Sequence, residues 1–152
     1  MKLFFLLFAI IYNQYTDCSN LDNVRNTFHT IKTNNDLKQF IEASKKINCN
    51  KVTPYIASCT MKKAEFTVWP FRKLAYFNEG KKTLEDYIKT YPNDIEARYV
   101  RYLVQNNIPS FLGYNTRIAA DKKFILDNLN ASPLPKSYKK VILKNINTIS
   151  PN

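Results

Sequence analysis

Apolar residues return at three- and four-residue steps along most of the chain. Leu21, Val24, Phe28 and Ile31 draw one stripe, and Leu37, Phe40, Ile41, Ser44 and Ile47 draw a second that Asn34 or Asn35 is placed to cap. A third helix is expected from near Thr53, with Pro54 tolerated in its first turn, to about Glu65. Thr67-Val68-Trp69-Pro70 breaks the pattern, because proline pushes the residue before it out of helical geometry. Phe71, Leu74, Ala75, Leu84, Tyr87, Ile88 and Tyr91 then predict one long helix running through Gly80. Pro92 stops it. Asn93 and Glu96 have the spacing of a reciprocal capping box for a helix that carries Ile95, Tyr99, Tyr102 and Leu103. Thr116 is expected to cap a helix with Ile118, Ile125 and Leu129, and Ser132-Pro133 to open a last one with Tyr138, Val141, Ile142, Asn145, Ile146 and Ile149. No segment alternates with the period of a strand, so the pattern predicts an all-α domain of six or seven helices.

The N-terminus departs from this pattern. Met1-Lys2 is followed by nine unbroken apolar residues, Leu3 to Ile11, which Tyr12-Asn13-Gln14 ends. A membrane-spanning helix needs about 20 apolar residues, so the run suits the core of a secretory signal peptide. The expected organisation is a signal peptide over 1–18 and one compact helical domain over 19–152, with no transmembrane helix in the mature chain and a periplasmic or extracellular location. Tyr15-Thr16-Asp17 lacks the small residues of a lipoprotein signal, yet Cys18 is the position a lipid anchor would take.

Composition narrows the chemistry. Among 152 residues only two are glycine, Gly80 and Gly113, which disfavours turn-rich β folds and leaves no phosphate-binding loop. The single histidine, His29, gives little basis for a hydrolytic triad, and without paired Cys-x-x-Cys spacing no metal site is expected. No cofactor is expected either. A net charge of +11 suits anionic lipid or polysaccharide. The cations are scattered as pairs such as Lys45-Lys46 and Lys122-Lys123, with no basic arm, so nucleic acid is not an expected partner. For the remaining cysteines two readings stand: a Cys49–Cys59 disulfide, or Cys59 as a small buried hydrophobe inside its helix.

Two resemblances add to this. Tyr91-Pro92-Asn93-Asp94 followed by Ile95-Glu96-Ala97-Arg98 resembles a junction between tetratricopeptide-type units. A period of roughly 34 residues does not recur elsewhere, so the expectation is antiparallel, TPR-like hairpins rather than a repeat array. Separately, Phe77-Asn78-Glu79-Gly80-Lys81-Lys82, the stretch from Pro92 to Arg101, the stretch from Val104 to Asn115, and Asp121-Lys122-Lys123-Phe124-Ile125 together resemble a family of small exported proteins of flavobacteria and related Bacteroidota. That resemblance implies export and carries no activity over.

The densest candidate for binding is on the helix after Pro92. Arg98 and Arg101 share one side of it, and Tyr99 and Tyr102 another. Arginine and tyrosine are frequent in binding hot spots, so Arg98, Tyr99, Arg101, Asn107 and Tyr114 are candidate partner-binding residues. The competing reading makes the tyrosines core residues and pairs the arginines with Glu96 or Asp121. With no catalytic residue to name, the expected role is a non-enzymatic module that binds a protein or an envelope component. The alternatives are a basic binder of anionic lipid or polysaccharide, and an enzyme whose site follows no familiar motif.

Overall fold

Thr33 sets the first well-defined boundary. Its hydroxyl accepts from the Asp36 amide at 3.1 Å, and the Asp36 carboxylate accepts from the Thr33 amide at 2.9 Å, a complete capping box. The cap therefore lies one residue before the asparagines that the pattern favours. The structure, a computed structural model, describes residues 17–149. The expected signal-peptide core at Leu3 to Ile11 lies outside them.

Among the described residues seven α-helices follow one another with no strand between them. They are α1 (Leu21–Phe28), α2 (Asn34–Lys45), α3 (Thr53–Lys62), α4 (Pro70–Thr90), α5 (Ile95–Asn107), α6 (Ile118–Asn128) and α7 (Lys136–Thr148). The all-α domain of six or seven helices is thus observed, and α4 runs unbroken through Gly80. None of these helices is long and apolar enough to cross a membrane.

Helix α5 organises the interior because its two faces serve two cores. Ala97, Val100 and Val104 pack with α1 to α4 around Leu37, Tyr55 and Leu84. Tyr99 and Tyr102 pack with α6 and α7 around Ile125, Ile142 and Ile146. Helices α3 and α4 approach each other closely where Gly80 stands, and the missing side chain is what allows it. A Cβ at that position would stand 2.4 Å from the Ala57 carbonyl oxygen and 2.6 Å from the Met61 Cγ, closer than atoms can pack. Gly113 has a different reason: it ends the short turn Ser110–Leu112 with φ at 62°, a conformation that glycine adopts without strain.

Several expected boundaries are corrected. The cap of α5 is Asp94, which accepts from the Ala97 amide at 3.0 Å, and the Asn93–Glu96 box does not form because the Glu96 carboxylate turns inward. Helix α6 starts after Arg117 without a side-chain cap, so Thr116 does not serve. The last helix starts at Lys136, behind Pro135 instead of Ser132-Pro133.

The cysteines are also corrected. Cys49 is bonded to Cys18, and Cys59 is free and buried. The chain before α1 folds back onto the segment after α2, which brings Cys18 within bonding reach, while α3 carries Cys59 into the core. Cys18 therefore belongs to the folded domain. Its thiol, the group a lipid anchor would need, is already engaged.

Candidate functional site

Two arginine–carboxylate clusters meet on α5, and the second takes in Arg98, Arg101 and Tyr114 of the candidate partner-binding residues. In the first, Arg25 of α1 donates to Glu96 of α5 through Nε at 2.8 Å and Nη2 at 2.6 Å, and through Nη1 to Asp22 at 2.5 Å. The Tyr55 hydroxyl donates to Glu96 at 2.6 Å and meets the Tyr138 hydroxyl at 2.8 Å. Burial by itself would disfavour charge on Arg25, but hydrogen bonding and attraction from Glu96 outweigh it and hold the guanidinium charged.

In the second, Arg101 donates to both oxygens of Asp121, at 2.7 and 2.8 Å, and to Glu85 at 2.7 Å. Arg98 adds a 3.1 Å bond to Asp121 and one of 2.8 Å to the Pro92 carbonyl, with its guanidinium 4.2 Å from the Phe124 ring centre. The Tyr114 hydroxyl donates to Glu85. Asp121 is fully buried. Bidentate arginine–carboxylate geometry of this kind fixes neighbouring elements relative to one another, here α4, α5, α6 and the 113–117 loop.

Four of the five candidate partner-binding residues are thereby engaged inside the protein. Arg98 and Arg101 hold Asp121, Tyr114 holds Glu85, and Tyr99 is buried, accepting from the Asn145 amide at 2.5 Å. The arrangement matches the competing reading for Asp121, although Glu96 takes Arg25 instead of either expected arginine. Asn107 alone is exposed, with its amide on the Leu103 carbonyl at 2.7 Å.

Asn107 instead borders a groove that the sequence did not single out. A cavity of about 910 Å³ runs between the end of α3, the start of α4, the end of α5 and the turn Ser110–Leu112. Cys59, Met61, Phe77 and Val104 are buried at its floor, and Pro70, Leu74, Ile108, Phe111 and Leu112 line its sides. The volume is in the range of sites that take small ligands or apolar side chains.

The rim of the groove is unusual. Helix α4 overhangs the body: its first six residues, Pro70 to Ala75, are all exposed. Phe71 is 89% exposed, Phe111 and Val68 85%, and Trp69 65%. Scattered exposed apolar residues are ordinary on a protein surface, but contiguous ones mark interaction sites. The signal for this patch was present in the sequence, since Val68-Trp69-Pro70-Phe71 combines a proline break with three large apolar residues. As a helix break alone, Thr67-Val68-Trp69-Pro70 carries no sign that these side chains stay in water.

The groove's own chemistry is muted. Burial pushes the Cys59 thiol up to about 12, against weaker opposition from Lys62 and Lys63, so it is not a thiolate at neutral pH. His29, at the groove's edge, packs its ring against Phe28, Tyr99 and Tyr138, and the loss of solvent on that side lowers its pKa. Among the described residues no cluster of His, Cys, Asp and Glu has the geometry of a metal site. Comparison with protein-family models, curated proteins and solved structures gives no match.

Proposed function

We propose that this chain is an exported, non-enzymatic binding module of the cell envelope, working through the groove between α3, α4 and α5. The observation that carries the reading is the overhang of α4, which leaves Trp69, Phe71 and Leu74 in water beside an apolar cavity. Folding does not need those side chains exposed; a partner does. The two arginine clusters then act as internal braces that hold the groove's walls in place, and not as contact surfaces. Export is supported by the Cys18–Cys49 disulfide, which suits an oxidising compartment. It agrees with the signal-peptide reading of the N-terminus and with the resemblance to exported flavobacterial proteins, and a cut before Cys18 would keep the disulfide in the mature chain. Hairpins of TPR-like kind are part of the same proposal, since such helix pairs build grooves from neighbouring units.

The test is titration with an uncharged, environment-sensitive fluorescent dye such as Nile red. Saturable binding with strong emission, lost in Leu74→Glu while the thermal unfolding temperature is kept, supports the groove. A folded wild type that fails to enhance the dye overturns it.

A further inference from the structure

The occupant of this face can be argued from the charges around it. Thirteen consecutive residues, Phe66 through Asn78, contain no carboxylate. Within them Arg72 and Lys73 are exposed on the overhanging turns of α4. At 100° per residue, Phe77, Leu74, Phe71 and Ala75 span one arc of the helix; Lys73 borders it beside Phe77 and lines the groove, and Arg72 lies beyond Ala75. Lys63 adds a third cation, above the Tyr76 ring at 5.4 Å. Acids stand only at the two ends of the run: Glu65, paired with Lys62 at 2.8 Å, and Glu79, further along α4.

The apolar groups are arranged to stand out. Val68, Trp69, Phe71 and Phe111 are the most exposed large hydrophobics in the described protein; Phe111 lines the groove and the other three lie within two residues of Pro70, which also lines it, whereas the floor residues are buried. A partner helix lying in the groove would meet the floor and leave these tips in water. A second copy of the chain would bring its own Lys63, Arg72 and Lys73 to the same face, and like-charge repulsion opposes that. A yielding apolar phase beneath a layer of negative charge satisfies both features. Aromatic side chains are at home in the membrane interface, and exposed cations beside them meet anionic headgroups.

We propose that the overhang of α4, with Trp69 and Phe71 at its tip and Phe111 opposite, inserts into the interfacial layer of an anionic lipid membrane. The proposal rests on the groove region being the binding surface, and it names the partner.

Trp69 is the only tryptophan, so its emission reports on this tip alone. The experiment uses the oxidised protein with phosphatidylcholine vesicles, with and without phosphatidylglycerol. Co-sedimentation with the phosphatidylglycerol vesicles together with a blue shift of Trp69 is the expected result. Arg72→Gln and Lys73→Gln each weaken binding about fivefold, and Phe71→Ser weakens it roughly tenfold or more. The wild-type blue shift persists at saturation in higher salt.

Co-sedimentation without a blue shift means adhesion by charge alone and overturns insertion. A blue shift that grows with protein concentration in the absence of lipid assigns the face to a second copy. A blue shift with an acidic amphipathic peptide, but with no vesicle, assigns it to a protein. If vesicles fail while the apolar dye still binds, the membrane is the wrong occupant and the groove stands. If the dye fails as well, both readings fall.

Discussion

The Glu96 carboxylate accepts two hydrogen bonds from the Arg25 guanidinium, at 2.6 and 2.8 Å, across 71 positions of sequence. Both groups are buried, and the bond ties α1 to α5. With the Asp121 cluster on the other side of α5, it frees the outer surface from any need for these arginines. The exposed apolar overhang is then the part of the molecule whose chemistry is left unfinished.

Breaking the buried pair from one side leaves an uncompensated charge. Glu96→Gln is expected to destabilise the fold by about 3 to 5 kcal/mol in urea unfolding. The double variant Arg25→Met with Glu96→Leu should lose less than the sum of the single changes, because neither charge is then left alone. Additive losses would mean that the pair is not coupled.

Gly80→Ala sets two effects against each other. Alanine improves helix propensity by about 1 kcal/mol, but its Cβ meets the Ala57 carbonyl, a backbone atom that cannot turn aside. Overpacking of this kind costs about 1 to 3 kcal/mol, so the net change should be a lower thermal unfolding temperature with dye binding at the groove altered. A rise in that temperature would contradict the close α3–α4 packing.

The cysteines give a count that needs no variant. Native, unreduced protein should show no thiol reacting with an aromatic disulfide reagent at neutral pH, because burial keeps Cys59 protonated and covered. Unfolding without reductant should expose one thiol, and prior reduction should expose three. Closing the 31-residue separation from Cys18 to Cys49 is worth about 3 to 4 kcal/mol, so reduction should lower stability by that order. Two thiols in the unreduced, unfolded protein with Cys59 blocked would contradict the pairing.

High pH should weaken the fold through its tyrosines. Burial is the first cause in each case, and it raises the pKa of Tyr55, Tyr87, Tyr99, Tyr102, Tyr114 and Tyr138 above the ordinary value of 10.0, with Tyr99 at about 12. A raised folded pKa means that the native state keeps protons the unfolded chain releases. Stability is therefore full below pH 10 and falls as pH climbs toward the folded values. In an ultraviolet titration these six tyrosines should ionise above pH 10 and together with unfolding; their full ionisation in a still folded protein would contradict their burial.

The sequence made the helices legible because each buries a stripe whose period survives without knowing its partner. Gly80 inside a continuous α4 and the core role of Tyr99 and Tyr102 follow from that logic. Long-range partners were not legible. Glu96 has the spacing of a capping residue, and nothing local reveals that Arg25 and Tyr55 draw its carboxylate inward. Cys18 was read with the signal segment, although the turn before α1 carries it to Cys49. The groove was missed for a related reason: exposed and buried tryptophans look alike in a sequence, and only the overhang of α4 separates them.

The central claim, that partners meet the α4 overhang, is tested most directly by site-specific photocrosslinking in the cells that make the protein. A photoreactive residue is placed at Phe71 or Phe111, and for comparison at the exposed Lys38 or Lys51 on α2 and the turn after it. The account expects adducts from positions 71 and 111 and none from 38 and 51. Adducts from 38 or 51 with silence at 71 and 111 would contradict it.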